Sequence, residues 1–149
     1  MGFKEAVRTC LREKFFTLKG RASRSEYWYF SLFFFIYVLA LFAILFAIGG
    51  LKSTSTGEFS KLLIVVFGIG AIGVIILYIP YITLMVRRFH DRGLSGWWVL
   101  AVVVLSSVPV VGFIVGIVSL VITVSKGTDG ENKFGPDPLQ AQNRADVFS

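Results

Sequence analysis

His90 is the only histidine in the chain, and it stands in the run Arg87-Arg88-Phe89-His90-Asp91-Arg92-Gly93-Leu94-Ser95-Gly96-Trp97-Trp98. An imidazole titrates near neutral pH and a carboxylate can fix its tautomer, so His90 and Asp91 could do general acid–base work. Sequence neighbours do not face each other on a helix, however, and Asp91 reaches more naturally back to Arg87 or Arg88. With no Cys or Glu at ligand spacing, His90 is a poor metal ligand, and neither a metal nor another cofactor is expected. The arginines suggest a second chemistry. Arg87, Arg88 and Arg92, with Arg21 and Arg24 from the N-terminal part, could grip a phosphate through paired hydrogen bonds. Ser95 and the amides around Gly93 and Gly96 could add donors where the next helix starts. The candidate ligand is an anionic lipid headgroup or a phosphorylated molecule. The plainer reading is positive charge held at a membrane surface, with His90 as a structural donor.

The elements that position these groups follow from the composition. Hydrophobic residues make up 55% of 149 residues, and the mean hydropathy is +0.75. A soluble domain this small could not hide so much apolar surface, so the excess must face lipid. The net charge is +6 and the pI near 9.7. These values could suggest nucleic acid, but the charges flank apolar runs, and anionic headgroups explain them better. No nucleic-acid partner is expected. The single cysteine, Cys10, allows no intrachain disulfide and reads as a small apolar residue on a helix face.

The expected fold is all-α: one multi-span helical membrane domain over 1–149, with two long spans and a Pro-broken third stretch. Residues 3–19 place Phe3, Val7, Leu11, Phe15 and Leu18 at helical spacing with Lys4, Arg8, Arg12 and Lys19 largely between them. That pattern predicts an amphipathic helix lying in the interface or packed on the end of the bundle. Gly20 breaks it, Ser23 can cap the next helix, and Glu26 stands three residues on, as in a capping box. The first span runs over 27–48 without a charge and opens on Tyr27-Trp28-Tyr29. Trp28, with Trp97 and Trp98 further on, is placed to anchor the headgroup zone. Gly49-Gly50 closes the span, and 51–61 is a short loop.

The second span, 62–86, is again without charge. Its Gly68-Ile69-Gly70-Ala71-Ile72-Gly73 matches a dinucleotide fingerprint, but inside a membrane helix small residues instead let a neighbouring helix approach. Pro80 predicts a kink. The third apolar stretch, 97–124, would be about 42 Å long as one helix, against roughly 30 Å of hydrocarbon. Ser106-Ser107-Val108-Pro109-Val110-Val111-Gly112 lies at its middle. Either it is one kinked, tilted span or a hairpin of two halves of about 18 Å each. The length and the Pro-x-x-Gly break favour the hairpin. Residues 126–149 form a polar tail with a loose end.

Seven Lys/Arg precede Tyr27, three lie between Arg87 and Arg92, and two in 51–61. The positive-inside rule then puts the N-terminus and the His90 loop in the cytoplasm.

Three strings stand out as a set: Gly20-Arg21-Ala22-Ser23-Arg24-Ser25-Glu26-Tyr27-Trp28, then 87–98, then Gly130-Glu131-Asn132-Lys133-Phe134-Gly135-Pro136-Asp137-Pro138. In this order and spacing, over about residues 15–138, the chain resembles the bacterial "domain of unknown function 805" family of small inner-membrane proteins. Phe89 stands where Leu is more usual. The resemblance implies a bacterial inner (plasma) membrane and a multi-pass helical fold; it implies no activity. It also favours the hairpin, which puts all three strings, including Asn132, on one membrane face.

The spans carry no Asp, Glu, Lys, Arg or His, which argues against an ion-coupled carrier. The expected function is binding of anionic lipid or a protein partner through a basic cytoplasmic face, without chemistry of its own. The alternatives are an oligomeric channel or transporter subunit, formed by homo-oligomers or with another membrane protein, and a lipid-acting enzyme using His90 and Asp91.

Overall fold

A computed structural model describes residues 1–50 and 58–140, the side chains of 49, 50 and 58–60 apart. Of the expected loop at 51–61, residues 51–57 lie outside the described residues and 58–61 already belong to a helix; the loose end of the tail lies largely outside as well. Helix α1 spans Phe3–Arg8 and continues as a π-helical turn over Thr9–Glu13. Helix α2 spans Arg24–Gly50, α3 Glu58–Asp91, α4 Trp97–Leu105 and α5 Pro109–Val124. Among the described residues there is no strand, only one isolated bridge between Asn132 and Gly135.

The two long helices keep broad apolar faces that no other described element covers. Phe46 is 83% exposed and Phe35 62%, in helices long and apolar enough to cross a membrane. In water such side chains would be unfavourable by roughly 1.5–3 kcal/mol each, so lipid is their solvent. Where α2 and α3 meet, the small residues do the work expected of them. A Cβ built on Gly73 would fall 1.9 Å from the Tyr37 hydroxyl, and one on Gly70 2.3 Å from Leu41 Cδ1. Gly68 has nothing within 4 Å. Gly73→Leu should therefore cost about 1–3 kcal/mol through overpacking, whereas Gly68→Leu should cost almost nothing. Unfolding midpoints of the two variants in the same detergent would check this; equal midpoints would remove the close-approach argument.

The third apolar stretch is a hairpin. At about 14 and 24 Å, neither α4 nor α5 matches the hydrocarbon thickness of roughly 30 Å. Pro109 occupies the first turn of α5, where its missing N–H is no loss. Both ends of the hairpin return to the end of α3: α4 starts six residues after Asp91, and the Thr128 amide beyond α5 donates to the Asp91 carbonyl at 2.8 Å.

Two boundaries differ from the sequence expectation. The N-terminal helix stops at Glu13 instead of reaching 19, and Ala6, Thr9 and Cys10 are buried against the bundle. The favourable burial of that short face outweighs the apolar spacing of Phe15 and Leu18, which continue as irregular chain. The basic run is also not a loop throughout. Arg87 to Asp91 form the last turn of α3, and the chain turns only at Gly93 (φ 72°). Cations are favoured at a helix C-terminus by the dipole, which is why the helix persists through them.

The buried core sits at one end. Cys10, Ala22, Tyr27, Phe30, Leu84, Met85, Val86, Phe89 and Val99 cluster there, and all the polar strings gather around it.

Candidate functional site

The site grows from two carboxylates and three arginines that the fold buries together. Asp91 closes α3 and is 3% exposed. Arg21, from the segment before α2, donates from Nε to Asp91 Oδ1 at 2.8 Å. Its Nη1 donates to the Gly130 carbonyl at 2.5 Å and to that of Gly135 at 3.3 Å; its Nη2 donates to the Thr128 carbonyl at 2.5 Å. Arg21 thus holds the polar tail to the end of the bundle. Arg88, fully buried, donates to Asp91 Oδ2, to the Ala22 and Ser125 carbonyls, and from Nε to the Thr123 carbonyl at 3.1 Å. The last carbonyls of a helix have no partner within it, and Arg88 supplies one for α5. The approach is close enough to require glycine at 127, where a Cβ would stand 2.0 Å from Asp91 Oδ2.

The second pair lies beside the first. Arg87, fully buried, donates from Nη1 to Glu26 Oε1 at 2.5 Å. Its Nε and Nη2 have no partner among the described residues. Glu26 is held at the start of α2 because its amide donates to the Ser23 hydroxyl at 3.2 Å, one half of the expected capping box. The other half does not form: the carboxylate turns to Arg87 instead, with Lys14 at 4.0 Å and the Cys10 thiol at 3.9 Å. A buried guanidinium competes for a carboxylate far better than an amide that water or a neighbour can satisfy.

Burial, then the Glu26 carboxylate, pushes the Cys10 thiol up to about 12. The thiol is therefore neutral in the folded protein. Its ordinary value is 9.0, so its contribution to stability is complete below pH 9 and is lost as pH rises from there toward 12. Because the thiolate is the nucleophile, N-ethylmaleimide at pH 8 should leave Cys10 unmodified until detergent denaturation exposes it. Rapid labelling of the folded chain would contradict its burial.

His90 and Asp91 do not form a dyad. The Asp91 oxygens face Arg21 and Arg88, while His90 Nδ1 lies 3.2 Å from the Gly20 carbonyl. The His90 ring stacks on Phe134 at 3.9 Å between centroids and 4° between planes. Asn132 Nδ2 donates to the His90 carbonyl at 3.0 Å and to the Thr128 hydroxyl at 2.8 Å. The three polar strings thus meet, as one packed unit.

Among the expected anion-binding residues, Arg21, Arg87 and Arg88 turn their hydrogen bonds inward, whereas Arg24 and Arg92 are exposed. Arg92 donates to the Lys126 carbonyl; Arg24 makes no ion pair or hydrogen bond among the described residues. Trp28, Trp97 and Trp98, 40%, 77% and 59% exposed, stand at the same end. Ser95 lies half-buried in the turn before α4. What sequence reasoning missed is the role of the backbone: the carbonyls of 123–135 are the acceptors for Arg21 and Arg88. Carbonyls have no side-chain signature; the one available hint was the density of glycine at 127, 130 and 135. Among the described residues no group of three or more His, Cys, Asp or Glu side chains could hold a metal.

Lipid-facing helices joined at one polar end by buried ion pairs define a small, multi-pass integral membrane protein. The chain belongs to the family described as "protein of unknown function (DUF805)", whose model matches residues 15–136. It is 32% identical over 120 residues to the inner membrane protein YhaH of Escherichia coli K12, covering 80% of this chain and 85% of that one. It is also 32% identical over 124 residues to the inner membrane protein YhaI of the same strain, covering 83% and 87%. No solved structure matches the chain.

Proposed function

We propose that the polar end lies at the cytoplasmic surface of the membrane and holds an anionic lipid headgroup, with a structural or regulatory role and no chemistry of its own. The observation that carries this is Arg24. Its guanidinium is exposed on the first turn of α2 and shares a recess of about 470 Å³ with Ser25, Trp28, Tyr29 and Val124. Across the same end it lines a second recess with Lys126, of about 230 Å³. A cation without a protein partner, amphipathic rings and the positive end of a helix dipole all favour a phosphate at the headgroup level. The buried arginines support this indirectly, since they make the end rigid and leave the exposed ones to face the lipid.

Native mass spectrometry of the full chain released from nanodiscs tests the reading. Dioleoylphosphatidylglycerol should be retained over dioleoylphosphatidylcholine, and the Arg24→Gln/Lys126→Gln variant should lose that preference. Equal retention by the unaltered chain would sink it. The cytoplasmic side rests on the Lys/Arg excess at this end. With Cys10 replaced by alanine, Thr17→Cys should react with an impermeant maleimide only after the inner membrane is opened.

A second reading has one observation in its favour. A cavity of about 420 Å³ between α2, α3, α4 and α5 is lined in part by Ser31, Tyr81, Ser106, Ser119 and Thr123. Hydroxyls in a bundle interior suit passage of a small neutral solute better than a packed core does. Solute flux into liposomes above that of empty controls would favour this reading over the first.

A further inference from the structure

The groove between α3 and α4 carries a site that the headgroup contact does not use. It has a volume of about 550 Å³, within the roughly 300–1,000 Å³ typical of ligand sites. Its walls are apolar: Tyr78, Ile82 and Val86 from α3, and Val99, Leu100 and Val103 from α4. Leu18 and the exposed Trp97 flank it, and Tyr78 and Leu100 are themselves partly exposed, so the groove opens sideways to where lipid lies. From Tyr78 to His90 the groove runs about 18 Å along α3. That is close to half of the roughly 30 Å hydrocarbon core, the depth of one leaflet.

The upper end of the groove is polar, and its polarity has a definite sense. His90 and Ser95 line it there. The Gly20 carbonyl beside His90 Nδ1 can only accept a hydrogen bond, so Nδ1 carries the proton. The neutral ring then presents Nε2 as an acceptor. Stacking on Phe134 holds the ring in this orientation. Gly96 keeps the approach to Nε2 open, since a Cβ there would stand 3.3 Å from Nε2 and 2.8 Å from Val86 Cγ1. Nε2 has no hydrogen-bond partner among the described residues.

We propose that this groove seats one acyl chain of a diacyl lipid whose glycerol bears a free hydroxyl, and that this hydroxyl donates to His90 Nε2. The leaflet-length apolar trough selects the chain. The fixed acceptor selects a donor in the head, which phosphatidylcholine lacks. The occupant is uncharged diacylglycerol, whose free hydroxyl sits on the acylated glycerol itself; phosphatidylglycerol, whose hydroxyls lie beyond the phosphate, serves as the control. The inference stands apart from the Arg24 contact: it needs a hydroxyl and not a charge.

The test uses the full chain in phosphatidylcholine nanodiscs carrying a minor fraction of dioleoylglycerol or of dioleoylphosphatidylglycerol, with retained lipid counted by native mass spectrometry. The unaltered chain should retain dioleoylglycerol over dioleoylphosphatidylcholine by about tenfold, the worth of one good hydrogen bond. Val103→Trp, which fills the trough from its lipid-facing wall, should abolish retention of dioleoylglycerol. His90→Phe, which keeps the stack on Phe134, should bind the two lipids equally. Arg24→Gln should leave dioleoylglycerol untouched while weakening dioleoylphosphatidylglycerol, which separates failure of this site from failure of the headgroup contact. On the unaltered chain, dioleoylglycerol with a diazirine in its acyl chain should crosslink to peptides within 78–86 and 97–103. Equal retention of dioleoylglycerol and dioleoylphosphatidylcholine would overturn the proposal, as would crosslinking spread evenly over the lipid face of α2.

Discussion

Arg88→Ala is expected to destabilise the folded protein by about 3–5 kcal/mol, the usual consequence of removing one partner from a buried ion pair. The arginine is fully buried and serves Asp91 together with the carbonyls of Ala22, Thr123 and Ser125. Truncation leaves those carbonyls without their donor and Asp91 with Arg21 alone. It also unfastens three elements at once: the approach to α2, the end of α3 and the end of α5. Arg88→Lys should lose nearly as much, because an ammonium offers its donors from a single nitrogen and cannot span acceptors arranged around a planar fork. The midpoint of unfolding in mixed detergent, followed by circular dichroism, would report both variants. A loss below about 1 kcal/mol for Arg88→Ala would mean that the polar end is not held as described, since even an ordinary hydrogen bond contributes that much.

The second large effect is a coupling. Arg87→Met and Glu26→Leu, made singly, should each cost about 3–5 kcal/mol, because each leaves the opposite charge buried without its close partner. Made together they should cost much less than the sum, by a coupling of at least about 1 kcal/mol. The reason lies in what the pair already sacrifices. Both groups are buried, and two of the three Arg87 nitrogens have no partner among the described residues, so its desolvation is only partly offset. An apolar pair of similar volume would not carry that cost. A double-mutant cycle measured by the same unfolding midpoints decides the point. Strict additivity would show that Glu26 and Arg87 do not depend on each other.

These expectations show how differently the parts of the molecule could be read from residues alone. The α2 and α3 spans were legible because apolar runs of such length have one solvent that suits them, and because Ser23, Gly49-Gly50 and Gly93 mark ends. The choice between a long third span and a hairpin was half legible. Pro109 and the excess length pointed to the break, but only the amide of Thr128 on the Asp91 carbonyl shows that the chain comes back. The Arg88–Asp91 pair was accessible as a three-residue spacing on a helix. The Arg21–Asp91 pair, seventy residues apart, was not. For Glu26 the local signal misled: it sits where a capping box would use it, yet its carboxylate bonds Arg87.

Residue order and type settled that this chain lives in a bilayer, that it is helical, and that its polar groups collect between the spans. Those properties depend on near neighbours and on transfer from water to lipid, which each segment undergoes by itself. Folding in three dimensions decided which arginines are buried and which are exposed. Arg21, Arg87 and Arg88 cannot be told from Arg24 and Arg92 by type or flanking sequence. Their difference comes from the arrival of α5 and the tail, whose carbonyls and close-packed glycine enclose Arg21 and Arg88, and of Glu26 on α2, which takes up Arg87, while Arg24 and Arg92 stay exposed. Electrostatic partners are chosen by proximity in space, and that proximity exists only after the helices have packed.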